Sequence, residues 1–376
     1  MNRRAFTGAD IFDGDILHQG KAIVLEDTVF HSIVAQKDIP ADCGVKVLDG
    51  GTILPGFVDL QVNGGGGIMF NDETTVDGLK IMSEAHARTG TRALLPTLIT
   101  DTPERTHAAV DAVEEAIEQG IPGIIGLHLE GPHLSVERKG AHDPALIRPM
   151  NDKDETFLLQ TARRIPNVML TLAPENVRID QIERLAEAGI IVSLGHSDCS
   201  FDQAMAAFAA GASCVTHLFN AMSQLENREP GLVGAALDAS DVCAGLISDG
   251  IHVHANTMRT ALSAKRGPGR IFLVTDAMAT AGSEITEFSL NGRTVLRKDN
   301  RLTLESGTLA GADLDFPTAL SLMINTVGLS KREAFAMATS TPQSLLTHSK
   351  GIGHFVSGHP ANGILLNDDF MYCGAL

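Results

Sequence analysis

The sequence has no CxxC pair, no apolar run of membrane length, and far fewer basic than acidic residues. Each absence removes a class of protein. The five cysteines, Cys43, Cys199, Cys214, Cys243 and Cys373, are scattered and odd in number. That argues against a disulfide framework or a thiolate zinc site and fits a reducing cytoplasm. Arg3 and Arg4 near the start are followed by no apolar h-region, so neither a secretory leader nor a membrane partner is expected. The 29 Lys and Arg against 46 Asp and Glu give a formal net charge of −17, which argues against a nucleic-acid partner. This charge reads as a solubility feature and leaves room for an anionic substrate held by a few placed cations. Tryptophan is absent, yet 44% of the 376 residues are hydrophobic and 37 are glycine. The chain is too long for one small domain and has ample material for a large core.

The first 52 residues read as short strands with tight turns, as in KAIVLEDTVFHSIVA and VKVLDGGTIL. The tail GHPANGILLNDDFMYCGAL has the same character, so residues 1–52 and 350–376 are expected to build one small β-sandwich. Between them, over 53–349, apolar runs alternate with helical patterns. The strand candidates are Ile53–Asp59, Arg92–Leu98, Ile121–Glu130, Val168–Leu172, Ile190–Gly195, Cys214–His217, Cys243–Ser248 and Ile271–Asp276. Helices are predicted over Val76–Arg88, Pro103–Gln119, Ile179–Ala188, Phe201–Ala210, Asn256–Ala264, Leu314–Val327 and Lys331–Leu346. This alternation predicts a (β/α)₈ TIM-type barrel. An open doubly wound sheet is the rival, but no G-x-G-x-x-G follows a first strand. Glu284–Leu304 reads as an inserted hairpin turning at Asn291-Gly292.

Four polar residues sit just past apolar strands: Glu130, His196, His217 and Asp276. In a parallel barrel that place is the catalytic rim. An unpaired charge is costly to bury, so Glu130 must meet a cation, a metal or a polar cleft. Glu130, His196 and His217 form a carboxylate-His₂ set, a shell that suits one divalent ion, zinc first, with iron, manganese or cobalt also compatible. Asp276 could be a fourth ligand, a helix N-cap or a general base; the base is preferred.

The segments LPGFVDLQVNG, GLHLEGPHLS, KGAHDP, LGHSD, THLFNAM, SDGIHVH, VTDAM and GTLAGA occur in this order between Leu54 and Gly311. Together they resemble the N-acetylglucosamine-6-phosphate deacetylases of the amidohydrolase superfamily. The resemblance implies hydrolysis of the acetamide of a phosphorylated N-acetyl amino sugar in amino-sugar catabolism or recycling. It assigns His142 to the acetyl carbonyl, and Asn220, Ala221, Arg228 and His252 to the phosphate. It places Leu309 against the sugar and acetyl pocket. It further implies a homodimer in which Arg228 reaches the neighbouring active site. Many amidohydrolases carry His-x-His after the first strand and bind two metals. Here the place reads Gln61-Val62-Asn63, and amides are poor zinc ligands. This variant resembles the mononuclear branch. Gln61 then orients water or substrate, or is simply a hydrogen-bonded loop amide. The alternatives are the galactosamine epimer, a cyclic-amide or dipeptide hydrolase needing two metals, and a non-catalytic amidohydrolase-like assembly protein.

Overall fold

The computed structural model describes residues 3–376. Its centre is an eight-stranded parallel sheet rolled into a barrel. The barrel strands are β1 (Phe57–Val62), β2 (Thr91–Ile99), β3 (Leu127–Glu130), β4 (Val168–Leu172), β5 (Ile191–Leu194), β6 (Cys214–Val215), β7 (Cys243–Ile247) and β8 (Ile271–Val274). All but one of their residues are buried, Arg92 being the exception. That is why the strands read as continuous apolar runs rather than alternating ones. The helices between them begin where the sequence supplies caps. Thr75 and Thr102 each accept from the backbone N–H three residues on, and Pro103 opens its helix. Ser200 and Ser330 each close a reciprocal capping box.

The predicted strand Ile53–Asp59 is in fact two strands. Thr52–Pro55 pairs with Gly363–Leu366 and with Asp10–Phe12 in a five-stranded sheet, while the barrel begins at Phe57. The chain crosses over at Gly56, where a Cβ would lie 2.1 Å from Arg92 Cγ. Only glycine permits that approach. The N-terminal strands and the C-terminal hairpin therefore share hydrogen bonds. A four-stranded sheet of Arg3–Thr7, Lys21–Glu26, Val29–Ala35 and Gly44–Val47 faces them. Phe6, Ile11, Ile23, Leu25, Phe30, Ile53 and Phe355 fill the space between as a separate small core. Both chain ends thus contribute to one sandwich-like unit beside the barrel.

Two helices fall where none was predicted. Asp152–Arg164 buries only Glu155, Leu158 and Thr161, so its apolar periodicity is faint. Gly231–Asp238 is buried all round except at its last residue, so it has no polar face to set a period. The predicted helix Lys331–Leu346 breaks at Thr339 (φ −132°, ψ −85°) into Lys331–Ala338 and Ser340–Gln343. The inserted hairpin gains a third strand, running Glu287–Leu290, Arg293–Lys298 and Arg301–Leu304.

Candidate active site

The C-terminal ends of the barrel strands open into a cleft of about 370 Å³. Glu130 closes β3. His196, His217 and Asp276 each follow their strand by two residues, with φ of +47°, +27° and +51°. A left-handed backbone at three non-glycine residues is costly and persists only where the surroundings fix it. Here it turns three side chains toward one point. His196 Nε2 and His217 Nε2 lie 3.0 Å apart, and each lies 3.2–3.3 Å from Glu130 Oε1.

An outer partner fixes the tautomer of His196. His196 Nδ1 lies 2.8 Å from the Arg138 carbonyl oxygen. A carbonyl only accepts, so the proton sits on Nδ1 and the Nε2 lone pair faces the centre. This donor set, one carboxylate oxygen and two imidazole nitrogens converging within 3.3 Å of one another, fits a divalent ion. His142 lies at the edge of the same cluster, its Nε2 4.0 Å from Glu130 Oε2. Thr100 flanks His142 Nδ1, with its hydroxyl oxygen at 2.8 Å and its backbone N–H at 3.3 Å, and the other ring nitrogen, Nε2, lies toward Glu130. Burial and the neighbouring His196 push the His142 ring down to about 3, so the imidazole is neutral.

The carboxylates are held in different states. Burial works against charge on Glu130, but the His196 and His217 rings beside it outweigh burial and keep its carboxyl well below the usual range. Asp276 is pushed up to about 6, by burial first and then by the Glu130 charge. Asn63 Nδ2 donates to Asp276 Oδ1 at 2.7 Å, and Gln61 Nε2 donates to Glu130 Oε1 at 3.2 Å. Both amides of the Gln-x-Asn pair are therefore engaged as donors to carboxylates.

Among the residues singled out in the sequence, Glu130, His142, His196, His217, Asn220, Ala221, His252, Asp276 and Leu309 all line this cleft. His252 Nδ1 is bonded to Asp249 at 2.6 Å, which fixes its ring. Two residues stand apart. Gln61 lies beneath the cleft, behind Glu130, and Arg228 is exposed outside it. Arg138, Thr308 and Met278 also line the cleft and were not foreseen. Arg138 contributes through its backbone carbonyl, a role no sequence pattern announces. His128, two residues before Glu130, points into the barrel as its strand parity predicts. It bonds to the Leu60 carbonyl at 3.0 Å and to Thr171 Oγ1 at 2.7 Å.

Comparison with known proteins decides the family. The model of the amidohydrolase family matches residues 52–374. The chain belongs to the amidohydrolase family. It is similar to an N-acetylgalactosamine-6-phosphate deacetylase of Shewanella sp. (strain ANA-3), with 44% identity covering 86% of this chain and 81% of that protein. An N-acetylglucosamine-6-phosphate deacetylase of Haemophilus influenzae is 34% identical over 94% of this chain and 93% of its own length. The crystal structure of N-acetylglucosamine-6-phosphate deacetylase from Pasteurella multocida superposes with a TM-score of 0.94 at 37% identity, covering 100% of this chain and 98% of that one. As a member of this family the chain is a hydrolase with a TIM-type barrel. Among the described residues, no helix is long and apolar enough to cross a membrane.

Proposed function

We propose that the protein hydrolyses the acetamide of N-acetyl-D-glucosamine 6-phosphate, giving D-glucosamine 6-phosphate and acetate. The observation that carries this reading is the cluster of Glu130, His196 and His217 at 3.0–3.3 Å in a cleft also lined by Asp276 and His142. The relatives act on this sugar or its 4-epimer, as their names state. Whole-chain likeness to the glucosamine enzymes of Haemophilus and Pasteurella supports the glucose configuration.

Glu130, His196 and His217 would hold one divalent ion, zinc first, with iron, manganese or cobalt as alternatives. Such an ion acidifies a water and stabilises oxyanion charge. Gln61 and Asn63, tied as donors to Glu130 and Asp276, are not arranged as a second ligand set, which supports a single ion. Asp276 takes the proton from the attacking water and returns it to the departing amine nitrogen. Its raised pKa suits both tasks. His142 Nε2–H donates to the carbonyl oxygen as charge develops there. Leu309 borders the acetyl and sugar pocket.

Asn220, Ala221 and His252 receive the phosphate end. Arg138, a cation of the cleft lining, is already paired with Asp198 at 2.7 Å. A second phosphate cation would come from a neighbouring subunit, and the exposed Arg228, three residues after the exposed Leu225, suits such an arm. The protein would then work as a homodimer, in the cytoplasm. The test is acetate release by ion-loaded protein from the 6-phosphate and from unphosphorylated N-acetylglucosamine. Strong preference for the phosphorylated sugar supports the reading; equal turnover of both contradicts it.

A further inference from the structure

The barrel has a seam. Strands β1 and β8 are the two ends of the strand order and share no continuous ladder. Backbone bonds join them at the rim only. The Asp276 N–H donates to the Gln61 carbonyl at 3.1 Å, and the Asn63 and Gly64 N–H groups donate to the Ala277 carbonyl at 2.9 and 3.1 Å. Below these, the seam is crossed by one fully buried carboxylate, Asp59. Its Oδ2 accepts from Thr275 Oγ1 at 2.5 Å, and its Oδ1 accepts from Thr275 N at 3.3 Å and Gln61 N at 3.2 Å. Three donors converge, and an ionised carboxylate has lone pairs for all of them. Thr275 Oγ1, whose proton goes to Asp59, in turn accepts from Ala277 N at 3.2 Å.

This chain of bonds brackets Asp276. The residue before it is held by Asp59 at both its N–H and its hydroxyl. The residue after it is held by that same hydroxyl. Asp276 itself has φ +51°, a conformation that an aspartate keeps only where its neighbours determine it. Asp59 touches no part of the cleft.

We infer that Asp59 is a positioning residue for hydrolysis, acting through Thr275 to hold the left-handed turn that aims Asp276 into the cleft. The inference rests on the reading of Asp276 as the proton carrier. A purely structural Asp59 would close the seam and leave turnover alone, so the two roles separate in kinetics.

The test uses the full ion-loaded chain and four variants: Asp59→Asn, Thr275→Val, Thr275→Ser and the double Asp59→Asn/Thr275→Val. Valine keeps the shape of threonine without its hydroxyl; serine keeps the hydroxyl. Burial pushes the Asp59 carboxyl up to about 7, so assays are run at mildly alkaline pH, where it is charged. Misplacing a reacting group by an ångström costs roughly 10²-fold in rate. Asp59→Asn and Thr275→Val should each lower kcat by about that factor with KM little changed. Thr275→Ser should stay near the parent rate. The double variant should be no slower than the slower single, because both changes break one relay. Full kcat with a lowered melting temperature would overturn the inference, as would losses that multiply in the double variant. If Asp59→Asn fails to fold, the contrast between valine and serine at Thr275 decides alone. Asp276→Asn is assayed beside them. An active Asp276→Asn sinks the proton-carrier reading and this inference with it; an inactive one beside a fully active Thr275→Val sinks this inference only.

Discussion

Replacing Asp276 by asparagine changes one oxygen atom for an amide nitrogen and keeps the shape. In the parent, Asp276 Oδ1 accepts from Asn63 Nδ2 at 2.7 Å. An asparagine would keep that bond with its own oxygen and turn its NH₂ group toward the cleft. A donor then stands where a proton has to be taken up. Positioned acid–base groups contribute about 10²–10⁴-fold to such reactions. That corresponds to roughly 3–5 kcal/mol in the activation barrier. Asp276→Asn should therefore lower kcat by about 10²–10⁴-fold, with a smaller effect on KM. The ion should stay, because Glu130, His196 and His217 are untouched, whereas His196→Ala as a control should lose it. The assay is acetate release together with metal content by mass spectrometry on the same preparation. Retained turnover would refute the base assignment. Lost metal would show that Asp276 is a ligand and that its kinetic effect is indirect.

Replacing His142 by alanine removes the donor proposed for the carbonyl oxygen and should reduce kcat by roughly 10²–10³-fold, read from steady-state kinetics at saturating substrate. Arg228→Ala should raise KM for the 6-phosphate more than it lowers kcat. Mixing it with Asp276→Asn subunits should restore turnover, because hybrid dimers contain one site with both groups intact. No complementation after confirmed subunit exchange would remove the shared-site reading. His128 and His133 should each contribute stability that is lost in acid. Burial, in each case the largest influence, pushes the His128 and His133 rings down to about 4 from an ordinary 6.5. The unfolded chain then binds more protons below 6.5. This stability is complete above that value and is lost as pH falls to about 4. Near the middle of that window the two rings alone give a slope of about 2.4 kcal/mol per pH unit, which the raised carboxyls of Asp59 and Asp276 oppose over the same range. NMR titration of the two rings in ion-free protein checks this directly, and rings that protonate near 6.5 would contradict their burial as neutral groups.

The barrel was legible because its strands are apolar on both faces and its helices carry clear caps. The rim was legible because a Glu, two His and an Asp occur at one place relative to four separate strands. The split at Gly56 was hidden, since Ile53 to Asp59 is apolar enough to read through and only contact with Arg92 shows why the chain must cross over. Asp152–Arg164 was missed because its buried face includes Glu155, which is paired with Arg184 and so counts as polar in any periodicity. Gln61 was read as facing water or substrate or as a loop amide, and the structure seats it behind Glu130. The carbonyl of Arg138 and the relay from Asp59 through Thr275 depend on contacts between distant segments. No spacing in the chain encodes them.

The central claim is the glucose configuration of the phosphorylated substrate. It is tested most directly by kcat/KM of the ion-loaded protein on N-acetylglucosamine 6-phosphate and N-acetylgalactosamine 6-phosphate measured side by side. The account predicts the higher value for the glucose configuration. A higher value for the galactose configuration, the substrate in the name of the 44% identical Shewanella relative, would contradict it.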